Sequence, residues 1–172
     1  MKSKTTLKRT LPTPPPFRHD IVGSFLRPES LKMAREAYKK GTISIEILNA
    51  VEDQEIVRLV NKQKKVGLQV VTDGEFRRSW WDLDFFWGFE GVEKSSVEDS
   101  ISQDKLHRNE TARLEGKISL KNHPFLEHYR FLEKICDYEV IAKQTIPAPA
   151  QMLAELQRKE NRNYTLSFYP EQ

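Results

Sequence analysis

Apolar and polar positions alternate along the chain in blocks that predict an α/β order. Asp20-Ile21-Val22-Gly23-Ser24-Phe25 reads as a short strand ending at a glycine. Arg27-Pro28-Glu29-Ser30 opens a helix, because proline costs nothing in a first turn and Glu29 suits the positive end of the dipole. Leu31, Ala34 and Tyr38 share one face, and Lys39-Lys40-Gly41 supplies the expected stop. Ser44 stands as the cap of a longer helix reaching about Val66. Its apolar stripe is Leu48, Val51, Ile56, Leu59 and Val66, and its polar face carries Glu46, Glu52, Asp53, Arg58, Lys62 and Lys65. Leu68 to Thr72 is a near-continuous apolar run, the pattern of a strand buried on both faces. The order strand, helices, strand predicts a βαβ unit with a doubled, right-handed crossover.

Beyond this unit the pattern weakens. Residues 88–122 read as an irregular insertion after the second strand. Ser95 to Ser100 and Gln103-Asp104-Lys105 are predicted to be exposed and mobile, and Thr111 to Leu120 to form a small hairpin around Gly116. His123-Pro124 opens a helix to about Ile135, with Phe125, His128 or Tyr129, and Leu132 inward. Tyr138 to Lys143 is a third strand candidate, broken by Thr145-Ile146-Pro147-Ala148-Pro149, and Ala150 to Lys159 a further helix. Asn161 to Gln172 carries no cap or stop. At the other end, Leu11 to Phe17 favours an extended polyproline conformation, so residues 1–16 read as a Pro-rich arm and residues 17–172 as the domain.

Composition narrows the function classes. A length of 172 residues suits one domain; 38% hydrophobic and 31% charged residues allow a core without making the chain core-rich. The net charge of +3 is too small and too interspersed to argue for nucleic acid. Lys2, Lys4, Lys8 and Arg9 form a basic patch only in the arm, which reads as solvated. The single cysteine, Cys136, excludes an internal disulfide and fits a reducing cytoplasm. No apolar run approaches the roughly 20 residues of a membrane helix, and the N-terminus has no apolar signal region. A cytoplasmic protein without nucleic-acid or membrane partners is the expectation.

The chemistry concentrates in Val70-Val71-Thr72-Asp73-Gly74-Glu75-Phe76-Arg77-Arg78-Ser79-Trp80-Trp81. A carboxylate at the end of a buried parallel strand, Glu75, is where α/β enzymes place working groups, and it could accept charge-assisted hydrogen bonds from a substrate ammonium. The alternative is a hairpin, since Asp-Gly is a strong turn signal, which would leave Glu75 as surface decoration. Arg77 and Arg78 either pair internally with Asp73 or Glu75 or hold an anion. Trp80, Trp81, Phe85, Phe86, Trp87 and Phe89 either pack as core or lid or stack on a flat ligand. Val22-Gly23-Ser24 offers backbone groups beside a helix start, or is simply a turn. His19, His107, His123, His128 and Cys136 show no metal-ligand spacing, so no metal ligand is assigned. No dinucleotide or P-loop motif is present, and no nucleophile triad can be assembled, so no catalytic residue is assigned.

Phe17-Arg18, Val22-Gly23-Ser24-Phe25-Leu26-Arg27-Pro28 and Val71-Thr72-Asp73-Gly74-Glu75-Phe76-Arg77-Arg78 resemble the cobalamin-independent methionine synthase family, in particular its short bacterial methionine-synthase-II-like members. Residues 17–91 carry most of the likeness, with Gly41-Thr42-Ile43-Ser44 included, and Lys143 to Pro149 is similar to a Pro-rich element further along. The resemblance implies a TIM-barrel catalytic domain that transfers a methyl group from 5-methyltetrahydrofolate, often polyglutamylated, to homocysteine. Zinc, not cobalamin, would hold the sulfur as thiolate. It further implies that Val22, Gly23 and Ser24 bind homocysteine through backbone groups and that Glu75 takes its amino group. Here the family's Ile-Gly-Ser reads Val-Gly-Ser and its His-Gly-Glu reads Asp-Gly-Glu, which leaves Asp73 without an implied role.

The family's zinc ligands, a His, two Cys and a Glu, have no counterpart in this sequence. A closed barrel needs eight strand–helix units, typically ~250 residues, and about three are legible here. The expectation is therefore a partial TIM (β/α) barrel, a fragment inactive alone that would pair with a complementing C-terminal half or self-associate through its open sheet. The alternative is a non-catalytic module that binds an amino acid or a partner through Gly23 and Glu75.

Overall fold

The computed structural model describes residues 21–96, 109–138, 140–159 and 161–170. The Pro-rich arm, Asp20, His19, His107 and most of the predicted mobile excursion lie outside the described residues. In chain order the elements are α1 (Glu29–Lys39), α2 (Ile45–Lys65), β1 (Val70–Val71), α3 (Leu83–Phe86), β2 (Glu90–Ser96), β3 (Glu110–Ser119), α4 (Pro124–Cys136), β4 (Ile141–Ala142), α5 (Pro149–Leu156) and α6 (Arg162–Phe168). They divide into two compact units. The first comprises the residues up to Phe76 together with Tyr129–Gln144; the second comprises Arg77–His128 and Thr145–Gln172.

The first unit is an open α/β arrangement, as part of a barrel presents. β1 and β4 pair in parallel, Val70 with Ile141 and Val71 with Ala142. Leu31, Ile56, Leu59, Val60, Val71, Phe76, Leu132, Cys136, Val140 and Ala142 make its core. Full burial of each large aliphatic or aromatic side chain contributes about 1.5–3 kcal/mol. On α2 the buried face runs Leu48, Glu52, Glu55, Ile56, Leu59, Val60 and Gln63, the i, i+4, i+7 rhythm of one helix side.

Three polar residues, Glu52, Glu55 and Gln63, are therefore buried among the apolar positions of α2; Glu55 accepts from Ser30 Oγ at 2.7 Å and pairs with Arg58 at 2.6 Å. Glu52, expected on the polar face, is buried and paired with Arg35 of α1 at 2.9 Å. Gln63 donates from Nε2 to the Thr72 carbonyl at 2.8 Å and accepts the Thr72 N–H on Oε1 at 3.1 Å, acting as a neighbouring strand would. Val66, expected in the stripe, lies past the last turn and is 75% exposed. Tyr38 is exposed as well. Ser44 occupies the N-cap position of α2, but no hydrogen bond from its side chain caps the helix. It binds the Glu46 carboxylate instead and holds that carboxyl below its ordinary range.

Of the strand predicted over residues 20–25, the described residues Ile21 to Phe25 join no ladder. Gly23 has a φ of +86°, which breaks a strand conformation. The segment is anchored instead by the Phe25 N–H on the Gly74 carbonyl at 3.1 Å and by Lys143 Nζ on the Ile21 carbonyl at 2.9 Å.

The second unit is built on an antiparallel hairpin. β2 pairs with β3, with Val92 opposite Leu114 and Ser96 opposite Glu110, and a bulge lies between Glu90 and Val92. The expected hairpin within Thr111–Leu120 is thus a single strand, and Ser95 and Ser96 belong to its partner. Leu83, Phe86, Val92, Ala112, Leu114 and Leu156 form the core, with Trp80, Phe85, Trp87 and Phe89 packed against it. The aromatic run is core, with Trp81 left about half exposed. Trp87 Nε1 donates to the Thr111 carbonyl at 3.1 Å, and Lys94 Nζ lies 4.6 Å from the Trp87 ring. α6 is a helix that the sequence did not announce. Asn161 docks the start of α6 on Thr111 Oγ1 at 2.7 Å, and Thr111 in turn donates to the buried Glu155 at 2.6 Å.

Two outcomes follow from this packing. Gln63→Met strands the buried N–H and carbonyl of Thr72, a cost of roughly 2–4 kcal/mol, readable as a lowered urea midpoint; a change under about 0.5 kcal/mol would contradict the bridging role. Ser119 Oγ donates to Glu90 at 2.7 Å and, with Lys121 nearby, keeps that carboxyl below its ordinary range. The wild-type pair therefore adds stability above the carboxylate's unfolded pKa and loses it as pH falls through the lower folded value. Ser119→Ala is expected to move the Glu90 titration upward in a carbon-13 NMR experiment.

Candidate functional site

The strand β1 is only two residues long, so its exit must find hydrogen-bond partners outside the sheet. Side chains provide them. Beyond the Gln63 bridge at Thr72, the Thr72 hydroxyl accepts the Gly74 N–H at 3.2 Å, and the Asp73 carboxylate accepts the Glu75 N–H at 2.9 Å. Asp73 thereby gains a role: it fixes the peptide leading into Glu75. The Gly74 carbonyl accepts from Phe25, the Glu75 carbonyl from Arg27 Nη2 at 3.1 Å, and the Phe76 carbonyl from Arg35 Nη2 at 2.6 Å.

Gly74 and Glu75 have φ values of +68° and +58°, the left-handed pair found at the centre of a type I′ turn. For glycine this is free, but for Glu75 it costs on the order of 1–2 kcal/mol. Gly74 is also closely packed: a Cβ there would lie 2.3 Å from Leu59 Cδ2. The turn does not lead back along β1 as a hairpin, because the neighbour of β1 is the parallel β4. Glu75 is accordingly not surface decoration; it is 4% exposed, and Phe76 beside it is anchored in the core.

The structure brings Ser24 and Glu75 together. Ser24 Oγ donates to Glu75 Oε2 at 2.8 Å, across 51 residues of sequence. Ser24 itself is exposed, so this contact lies at an edge of the molecule's surface. Val22 points to solvent, 79% exposed, and space is open around Gly23. The segment Val22–Ser24 therefore presents its backbone at an accessible place next to a buried carboxylate.

Arg78 belongs to a network of the second unit. It donates to the Trp81 carbonyl at 3.2 Å, to Thr145 Oγ1 at 3.0 Å and to the Thr145 carbonyl, with its guanidinium 4.6 Å from the Phe125 ring centre. Arg77 is half-buried at the start of the same unit.

Among the described residues no group of three or more His, Cys, Asp or Glu side chains is placed to hold a metal ion. His123 is buried against Phe85, Phe89 and Phe125 and stands just before α4. Its Nδ1 accepts the Phe125 N–H at 3.2 Å, so Nε2 carries the proton toward the Phe85 carbonyl at 2.9 Å. Cys136 is core. The described residues thus do not fit a zinc centre. Among the described residues no helix is long and apolar enough to cross a membrane.

Sequence reasoning missed Arg27, Arg35, Gln63 and Lys143 as neighbours of the site. Gln63 carried a readable signal, a polar residue seven positions after Ile56 on the buried face. Arg27 lay inside a motif already singled out. The Arg35–Glu52 pair crosses two helices and leaves no local pattern.

Comparison with known proteins shows what the chain is similar to. Residues 17–86 match the family described as the cobalamin-independent synthase, catalytic domain. The Bacillus subtilis protein YxjG is 42% identical over 155 residues, which is 87% of this chain and 40% of the relative. A 5-methyltetrahydropteroyltriglutamate–homocysteine methyltransferase of Thermosynechococcus vestitus is 38% identical over 82 residues, 47% of this chain and 11% of that protein. The crystal structure of the putative vitamin-B12 independent methionine synthase of Listeria monocytogenes superposes with a TM-score of 0.66 at 38% identity, over 79% of this chain and 37% of that one. The chain spans about 40% of the length of YxjG.

Gly74→Ala tests the packing of the turn. The new methyl meets Leu59, and a loss of about 1–3 kcal/mol is expected from overpacking and the left-handed φ together, read from thermal unfolding; an unchanged midpoint would contradict the geometry.

Proposed function

The chain belongs to the cobalamin-independent methionine synthase family, to the N-terminal region of its catalytic domain, and from that premise we propose that the turn at Glu75 holds the amino-acid end of homocysteine. The observation that carries this reading is the Ser24–Glu75 contact, which joins the two separate motifs at one accessible place. The Glu75 carboxylate accepts hydrogen bonds from the substrate ammonium. The interaction is strengthened because the carboxylate is shielded from water. The backbone of Val22, Gly23 and Ser24 receives the remainder of the amino acid, and the open space at Gly23 lets a ligand approach the main chain.

The reaction proposed for the whole protein is methyl transfer from 5-methyltetrahydrofolate, with or without a polyglutamate tail, to homocysteine. The sulfur gives up its proton and bonds to the methyl carbon, the carbon–nitrogen bond of the folate breaks, the nitrogen takes up a proton, and methionine and tetrahydrofolate leave. This chain's residues contribute binding and orientation to that step, which lowers its entropic cost. Zinc, in the family's chemistry, keeps the sulfur nucleophilic. The described residues furnish no ligand set for zinc, and no step is assigned through it here. On this reading the sulfur-activating groups belong to a complementing C-terminal half, and the cytoplasm is the compartment that suits a free-thiol substrate.

Isothermal titration of the full chain with L-homocysteine tests the reading. Binding is expected, and Glu75→Gln is expected to weaken it about tenfold or more, the worth of a charged hydrogen bond. Equal affinity for both proteins would contradict the role of Glu75.

A further inference from the structure

Glu75 is a non-glycine residue held at positive φ in a buried turn, and a strained conformation persists only where its surroundings over-determine it. We infer that Arg35, braced by Glu52, is a positioning residue that keeps the Glu75 carboxylate aimed, with Arg27 as its second. The direction of a side chain follows from the backbone torsions of its residue. If Glu75 relaxes to negative φ, its carboxylate leaves the Ser24 contact.

Three features carry the inference. First, the two carbonyls following the strained torsion, those of Glu75 and Phe76, each accept from a guanidinium, Arg27 at 3.1 Å and Arg35 at 2.6 Å. Together they fix the two peptide planes on the C-terminal side of Glu75, while Asp73 fixes the plane on the other side. Second, Arg35 cannot leave without consequence. Its Nη2 also donates to Glu52 at 2.9 Å, and Glu52, 5% exposed, would be left as a buried carboxylate without that cation. Third, both arginines come from one continuous piece of chain. Arg27 stands two residues beyond Phe25, and Arg35 lies on α1, about two turns further on. The segment that contributes Ser24 to the site therefore also sets the conformation of the residue that Ser24 touches.

Ion pairing between α1 and α2 for stability alone would also use Arg35 and Glu52, so the test must read more than stability. The ligand part of the inference rests on Glu75 binding the substrate ammonium; the conformational part does not. The full chain is compared with Arg35→Met and Arg35→Lys. The first measurement is NMR of Glu75, whose N–H to Hα coupling and carbon-13 shifts report the sign of φ. The second is titration with L-homocysteine and with 4-mercaptobutanoate, which has the same thiol and carboxylate and no ammonium.

The wild-type protein is expected to show the left-handed signature and to prefer homocysteine about tenfold or more. Arg35→Met is expected to lose the signature and bring the preference close to one. Arg35→Lys, which keeps the charge but not the fork, is expected to recover part of both. An Arg35→Met protein that keeps the left-handed signature and the full preference overturns the inference. Should Arg35→Met not fold, Arg35→Lys decides: wild-type signature and preference overturn the inference, and partial loss of both supports it. A wild-type protein with no preference refutes ammonium binding by Glu75, while the NMR comparison still decides the role of Arg35.

Discussion

The constraint on which the first unit depends is the satisfaction of backbone polar groups at the exit of a very short parallel strand. β1 offers only two residues to its ladder, and the chain then turns inside the protein, where an unpaired peptide group costs on the order of 1–3 kcal/mol. Five side chains meet that demand: Gln63 at Thr72, the Thr72 hydroxyl at Gly74, Asp73 at Glu75, and Arg27 and Arg35 at the two carbonyls beyond. Because these partners come from α1, α2, the segment leading into α1 and the turn itself, the turn is fixed by the elements packed around it. The core residue Phe76 then locks the exit. Glu75 is buried and left-handed as the result of this arrangement, and so has a defined direction.

Such a carboxylate differs from a surface acid. Withdrawn from water and fixed by its backbone, it holds one direction rather than sampling many. Ser24 marks the accessible side. Under the proposed function the carboxylate's partner is the ammonium group of an amino acid. The second unit is independently packed around an antiparallel hairpin and an aromatic core, with Glu155, Thr111 and Asn161 tying its last two helices to β3.

Local signals in the sequence were read correctly where local physics decides. Pro28, Glu29 and Gly41 bound α1; His123-Pro124 opens α4; and the apolar run ahead of Asp73 contains β1. What failed depended on partners distant in sequence. Ile21–Phe25 has strand composition, yet Gly23 turns the chain and no ladder receives it. The hairpin of β2 and β3 joins residues on either side of the stretch 97–108, so no two-residue turn announced it. Glu52 and Gln63 sit on the buried face of α2 because Arg35 and Thr72 meet them there, and a polar residue with a buried partner looks, in sequence, like a polar residue in water.

The most direct test of the central claim is a crystal structure of the full chain with L-homocysteine. The account predicts the α-ammonium nitrogen within hydrogen-bond distance of a Glu75 carboxylate oxygen, Glu75 still at positive φ, and the carboxylate end against the backbone of Val22–Ser24. An amino acid bound with its ammonium on other groups, or a Glu75 side chain turned away from it, would contradict the account.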